Sequence, residues 1–180
     1  MRDVLKRYYE RLAHYAEKTF GTAPTVPWSE ELNGALLISE PDEDGEVAWT
    51  IADRTEPVDW RPLEKSLGFA LAPELKEYYG SCFLLSLRGK FGNTLLDFYP
   101  MDGTRPVTEL ARLAYEDGQH VFPGSQIFLI GWAMVGEDDG YFIFFDNGSG
   151  KLFCHDPETG KQVLLSYSIA GTIDAMEARM

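Results

Sequence analysis

Apolar residues recur at steps of three and four through the first twenty positions. Val4, Leu5, Tyr8, Leu12, Tyr15, Ala16 and Phe20 share one face of a helix of about five turns, with Arg, Lys and Glu outside. Gly21 is its natural C-terminal stop. The next stretch, TAPTVPWSEELNG, reads as irregular: Pro24 and Pro27 obstruct pairing, and Ser29 is suited to cap one short turn holding Glu30 and Glu31. Ala35 to Ser39 and Glu46 to Ile51 then read as two strands joined by the polar turn Pro41 to Gly45. Two short helices follow, Pro57 to Leu67 and Pro73 to Tyr79, the second with proline at a first helical position, where its missing amide proton costs nothing.

Beyond Gly80 the pattern turns to alternation. Cys82 to Arg88 and Thr94 to Tyr99 flank Gly89 to Asn93 as a hairpin. Val107 to Glu116 has helical spacing, with Leu110, Leu113 and Ala114 inward and Gly118 after its end. Ile127 to Val135, Tyr141 to Phe145 and Lys151 to His155 are three more strands, joined by the turn segments Gly136 to Gly140 and Asn147 to Gly150. A strand, Gln162 to Leu165, and a helix, Ile169 to Glu177, close the chain. No repeat or linker interrupts this order. It defines an α+β fold over residues 1–180, a single domain whose mostly antiparallel sheet is flanked by an N-terminal and a C-terminal helix plus short helices.

Charge changes the picture more than length does. The 180 residues carry 16 basic and 29 acidic side chains, a net charge of −13. Phosphate-backbone partners are disfavoured, because nucleic acids are held by Lys and Arg, so no nucleic acid is expected as a partner. A basic protein surface is favoured instead. The acids are not spread evenly. Between Glu30 and Asp59 ten of them, Asp42, Glu43 and Asp44 among them, face one base, Arg54, so this window holds nine of the thirteen net charges. A second cluster, Glu137-Asp138-Asp139, is either a solvated turn or a docking site for a basic partner. Trp28 and Trp60 flank the acidic window, and either anchor a partner through large contact area or pack their segments onto the sheet.

Catalytic constellations are missing from the pattern. His14, His120 and His155 are scattered, on the charged side of the first helix, in a loop and at a strand end; there is no GxSxG and no HExxH. Asp146 to Gly150 and Asp156 to Gly160 lack the alternating oxygen ligands and terminal Glu of a calcium loop and read as tight turns. The Gly148 and Gly150 pair has no Walker lysine-serine and no helix behind it, so it is no phosphate loop. Cys82 and Cys154 form no metal spacing and read as buried reduced thiols. The expectation is a protein without enzyme activity, cofactor or metal. Its charged opening residues and its longest apolar run, Ile127 to Val135, match neither a signal peptide nor the ~20 residues of a membrane span, so it reads as cytoplasmic.

At Pro27-Trp28-Ser29-Glu30-Glu31-Leu32-Asn33-Gly34 the chain resembles the Syd family of bacterial cytosolic proteins that bind SecY of the protein-export channel, with Asn33 where tyrosine is expected. The resemblance resumes at Phe91-Gly92-Asn93, at Phe128 to Gly131 and at Asp146 to Lys151. Leu67-Gly68-Phe69, Pro73-Glu74-Leu75 and Tyr78-Tyr79-Gly80 are similar to the leading motif of the wider SUKH superfamily, which includes immunity proteins against polymorphic toxins, often nucleases. The resemblance implies a binding protein peripheral to SecY at the cytoplasmic face of the inner membrane or, alternatively, an immunity protein for a basic toxin. SecY offers positive cytosolic loops and a nuclease toxin a basic groove, so both imply an acidic surface holding a basic one. The candidate contact residues are Trp28, Glu30, Glu31, Asp42, Glu43, Asp44, Trp60, Glu137, Asp138 and Asp139.

Overall fold

The computed structural model describes residues 1–180. Its first helix, α1 (Arg2–Phe20), buries Leu5, Tyr8, Leu12 and Ala16 and ends at Gly21 in a left-handed conformation. Phe20 is exposed, since the fifth turn runs past the core. The stretch that the prolines marked as irregular contains a three-residue strand, β1 (Thr25–Pro27), paired antiparallel with β2 (Glu46–Ala48). Pairing survives because Pro27 ends the strand, where a missing N–H is tolerated. The strand expected at Ala35 to Ser39 is instead a 3-10 turn over Gly34–Leu36, because the Asn33 side chain accepts the Ala35 N–H at 3.0 Å and starts the turn. Only a single bridge, Leu37 to Trp49, remains of that hairpin.

After β3 (Ala52–Asp53) the first short helix, α2 (Arg61–Leu67), begins four residues later than the periodicity predicts, and α3 (Pro73–Ser81) follows. Cys82 and Phe83 form β4, which pairs with β3 and not with the hairpin. The hairpin strands are β5 (Leu87–Phe91) and β6 (Thr94–Phe98), closed by the two residues Gly92 and Asn93. The tight turn draws Gly89, Lys90 and Phe91 into the ladder, which moves the first strand later than Cys82 to Arg88.

The next helix, α4 (Val107–Val121), runs past Gly118. That glycine is no stop but a point of backbone contact: a Cβ there would lie 2.1 Å from the carbonyl oxygen of Ile127. The longer helix also carries His120 in its last turn, so His120 is not in a loop. The buried face is Val107, Ala111, Ala114 and Gly118, leaving Leu110 and Leu113 only partly covered.

Strands β7 (Ile127–Val135) and β8 (Asp138–Asp146) meet through Gly136 and Glu137, so Asp138 and Asp139 belong to a strand end and not to a loop. Then come β9 (Leu152–His155), β10 (Gln162–Ser166), a seven-residue α5 (Ile169–Ala175), two residues shorter than the expected last helix, and a two-residue strand, β11 (Glu177–Ala178), that starts where that helix was expected to end. β11 forms because Gly89 gives it room on β5, to whose Gly89 Ala178 pairs.

The main sheet has the order β10-β9-β8-β7-β6-β5-β11, antiparallel throughout. Its inner face, with Leu87, Leu96, Phe98, Ile143, Phe145 and Cys154, joins α1, α3 and α5 in one core of 32 buried residues. Tyr8 ties α1 to the sheet edge: its hydroxyl accepts from Arg88 N at 2.8 Å and donates to Arg88 O at 2.9 Å, an oxygen that Arg179 N, just past β11, also reaches at 3.1 Å. Cys82 and Cys154 are buried and free.

Candidate functional site

Where β6 ends, the chain turns through Tyr99 to Arg105 into α4, and a cleft of about 380 Å³ opens beside that turn. Its floor is apolar: Tyr79 from α3, Leu110, Leu113 and Ala114 from α4, Leu129 from β7. Three acidic residues stand around it, Glu31, Asp102 and Asp117, together with one base, Arg105; the Asp102 carboxylate also accepts the Thr104 N–H and hydroxyl, at 3.0 and 2.9 Å, and is partly committed to its own turn. The partly covered Leu110 and Leu113 are explained here, because they face the cleft.

Asn33 fixes the near wall. Its side-chain amide donates to Asp102 O at 2.8 Å while its oxygen caps the 3-10 turn, so the Trp28 to Gly34 segment is tied to the β6–α4 connection. Gly103 makes this approach possible. It has φ +86°, and a Cβ would lie 2.7 Å from the Phe83 ring and 2.9 Å from Asn33 Nδ2. Glu31 is held by the turn foreseen at Ser29, whose hydroxyl accepts the Glu31 N–H at 3.2 Å. The negative field is felt within the cleft's wall: Tyr99 has its hydroxyl pKa raised by burial first and by Asp117 next.

The sequence candidates divide among three places. Trp28, Glu30, Glu31 and the Asp42–Asp44 turn come together, since Trp28 N donates to Gly45 O at 2.8 Å and Trp28 stays 48% exposed. Within that turn Asp42 is committed locally, its carboxylate accepting from Asp44 N and Glu46 N, while Glu43 and Asp44 are exposed. Glu137, Asp138 and Asp139 are also exposed but lie at the other end of β7. Leu129 borders the cleft, and eight residues of extended chain carry Glu137 roughly 25 Å away. Trp60 is apart from both. It is half-buried against the core before α2, beside Arg2, Arg54 and Lys76.

Asp102, Asp117, Tyr99 and Arg105 were not singled out by the sequence. Asp102-Gly103-Thr104 carried a turn signal, but only the fold shows what it faces. The three histidines do not converge, and no group of three or more His, Cys, Asp or Glu side chains is placed to hold a metal ion. His155 is buried among the Phe122 and Phe144 rings, which lowers its pKa. Asp146 and Asp156 each accept the N–H groups two and three residues on and the Ser149 or Thr159 hydroxyl, so both loops use their carboxylates internally. No helix is long and apolar enough to cross a membrane.

An antiparallel sheet with helices on its inner face and an acid-rimmed cleft defines a small α+β domain that presents a charged concave surface. The family model described as Syd protein (SUKH-2) matches residues 1–99, more than half of the chain, and the chain belongs to that family. The match spans Trp28 to Gly34, Tyr79 and Tyr99; Asp102, Arg105 and Asp117 follow it, as do the 128–131 and 146–151 segments. No curated protein matches the chain.

Proposed function

We propose that this protein is a non-catalytic cytosolic binding protein that associates peripherally with SecY by receiving its basic cytosolic loops in the cleft bordered by Glu31. The observation that carries this reading is the cleft itself. Carboxylates from three separate segments, Glu31, Asp102 and Asp117, surround an apolar floor. A Lys or Arg side chain suits such a place: its methylene stem lies on Leu110 and Leu113 while its head reaches the carboxylates. Trp28, three residues before Glu31, adds exposed aromatic area, and the exposed Glu43 and Asp44 lie in the turn whose Gly45 carbonyl accepts the Trp28 N–H.

Family membership supports a protein partner, and the positive-inside rule supplies SecY with the required charge. A basic nuclease-type toxin would satisfy the same electrostatics, so the partner has to be identified by experiment. Tagged protein is passed over lysate of its own source, with and without detergent-solubilised membranes. Retention of SecY from the membrane fraction, lost in Glu31→Lys/Asp117→Lys, is the expected result. Retention of a basic toxin from the soluble fraction would transfer the cleft to the immunity reading.

A further inference from the structure

The main sheet has two edges, and they are treated differently. On one side β11 and the Tyr8 hydroxyl cover β5. On the other, β10 is the last strand in the order. In its ladder with β9, Asp156 N donates to Lys161 O, so the alternation of an antiparallel pair makes Val163 and Cys154 the next bonded pair. The N–H and C=O groups of Gln162 and Leu164 then point away from the sheet, and no backbone bond outside the regular elements uses them.

Such an edge is usually guarded by charge, proline or a cover. Here the strand Gln162–Ser166 contains neither charge nor proline, and Leu164 and Tyr167 are 50% and 66% exposed. The absence of acid is notable in a chain of net charge −13. From Lys161 through Ile173 the chain has no Asp or Glu of its own, and the carboxylate that reaches this segment, Glu74, is engaged by the Ser168 hydroxyl and the Ala170 N–H, so the strand Gln162–Ser166 itself sets no acid against a like-charged copy.

We infer that β10 pairs with β10 of a second copy, joining two sheets across a two-fold axis at Val163. Antiparallel pairing of identical strands is isologous, as closed dimers require. With Val163 opposite its own copy, Gln162 of one chain faces Leu164 of the other, and the outward groups exchange four backbone hydrogen bonds. Each Leu164 side chain gains a neighbour across the axis. The same register carries the exposed Glu158 of one copy toward the end of the sheet where the other copy has Lys151. The contact is small, so the dimer is weak and concentration-dependent.

Sedimentation equilibrium of the full chain across a wide concentration range tests this, with Leu164→Pro and Leu164→Lys beside the wild type. Pro removes an outward N–H at an edge position that tolerates it, and Lys adds the missing guard charge. The expected result is a reversible dimer in the wild type, weakened about tenfold or more by the Pro substitution and also weakened by Lys. Circular dichroism must show each variant folded, with Gln162→Pro taking the place of Leu164→Pro if the latter is not. A wild type that stays monomeric throughout overturns the inference. So does a dimer that withstands the folded Pro variant, even if Lys disrupts it, since that contact would be side-chain packing and not strand pairing.

Discussion

Gly118→Ala sets two physical effects against each other with opposite signs. In a helix interior alanine is better than glycine by about 1 kcal/mol, so a reading based on propensity predicts stabilisation. The fold predicts the reverse. The new Cβ would stand 2.1 Å from Ile127 O and 2.9 Å from Ile127 C, far inside contact distance, and backbone atoms of a central strand cannot rotate away. α4 must lift from β7 by about 1 Å, with loss of packing; overfilling of this kind costs typically 1–3 kcal/mol, and an immovable neighbour places it at the upper end. The net is a loss of about 2 kcal/mol after the propensity gain. For a chain of this size that lowers Tm by about 4–8 °C. Urea unfolding followed by tryptophan fluorescence, with a thermal melt beside it, measures it. The same lifting moves Asp117, the residue before Gly118, so partner affinity should fall as well. A variant as stable as the wild type, or more stable, refutes the close helix–strand approach and the cleft wall built on it.

Three further outcomes follow from the same geometry. Tyr8→Phe strips the bonds that the hydroxyl makes to Arg88 N and O at the β5 edge; Arg88 O keeps the Arg179 N–H, so the unpaired Arg88 N–H should cost about 1–3 kcal/mol in chemical denaturation, and no loss would mean that another group satisfies Arg88 N. Burial pushes the Cys154 thiol up from 9.0 to about 12 and Cys82 to about 11, so both stay protonated in the fold while the unfolded chain ionises. A raised folded pKa stabilises below the unfolded value, so Tm should fall as pH rises from about 9 toward 12, and less so in Cys154→Ala than in the wild type relative to each protein's neutral value. Equal falls would remove Cys154 from the cause. Asn33→Ala loses the bond to Asp102 O and the cap on the 3-10 turn; about 1–2 kcal/mol of stability and part of the partner affinity should go together in melts and titrations. Weakened binding at unchanged stability would contradict a positioning role.

Much of the fold was legible because periodicity reports burial on one face. The α1 stripe, the β7 run and the Asn147 to Gly150 turn are local signals, and they agree with the elements observed. Two of the errors originate in contacts between distant segments. Gly118 has the local signature of a helix stop, and only its neighbour Ile127 shows that it is a point of close packing. β11 is two residues long and exists by virtue of Gly89, which no window around Glu177 contains. Ala35 to Ser39 is a short apolar run that reads as a strand, yet the Asn33 cap turns its start into a 3-10 helix, a local effect. The cleft was half legible. Excess acid marked Glu31, but Asp102 and Asp117 lie outside the acid-rich windows and join the site only through the turn at Gly103 and the face of α4. Counting charge could not show that Glu137 to Asp139 lie at the far end of β7, or that Trp60 sits among Arg2, Arg54 and Lys76 with Glu56 and Glu77.

The measurement closest to the central claim is the affinity of the intact protein for detergent-solubilised SecY as salt is raised, in the wild type and two double reversals. Glu31→Lys/Asp117→Lys alters the cleft, and Glu137→Lys/Asp138→Lys makes the same change of net charge at the other end of the sheet. A partner cation about 6 Å from a rim carboxylate gains roughly 0.7 kcal/mol at the dielectric of water, so reversing two carboxylates removes about 2–3 kcal/mol before screening. We predict that the cleft variant binds tenfold or more weakly at low salt, that the far-end variant loses about twofold, and that wild-type affinity declines steadily with salt. Equal losses in the two variants, or an affinity indifferent to salt, would contradict a cleft that holds a basic partner.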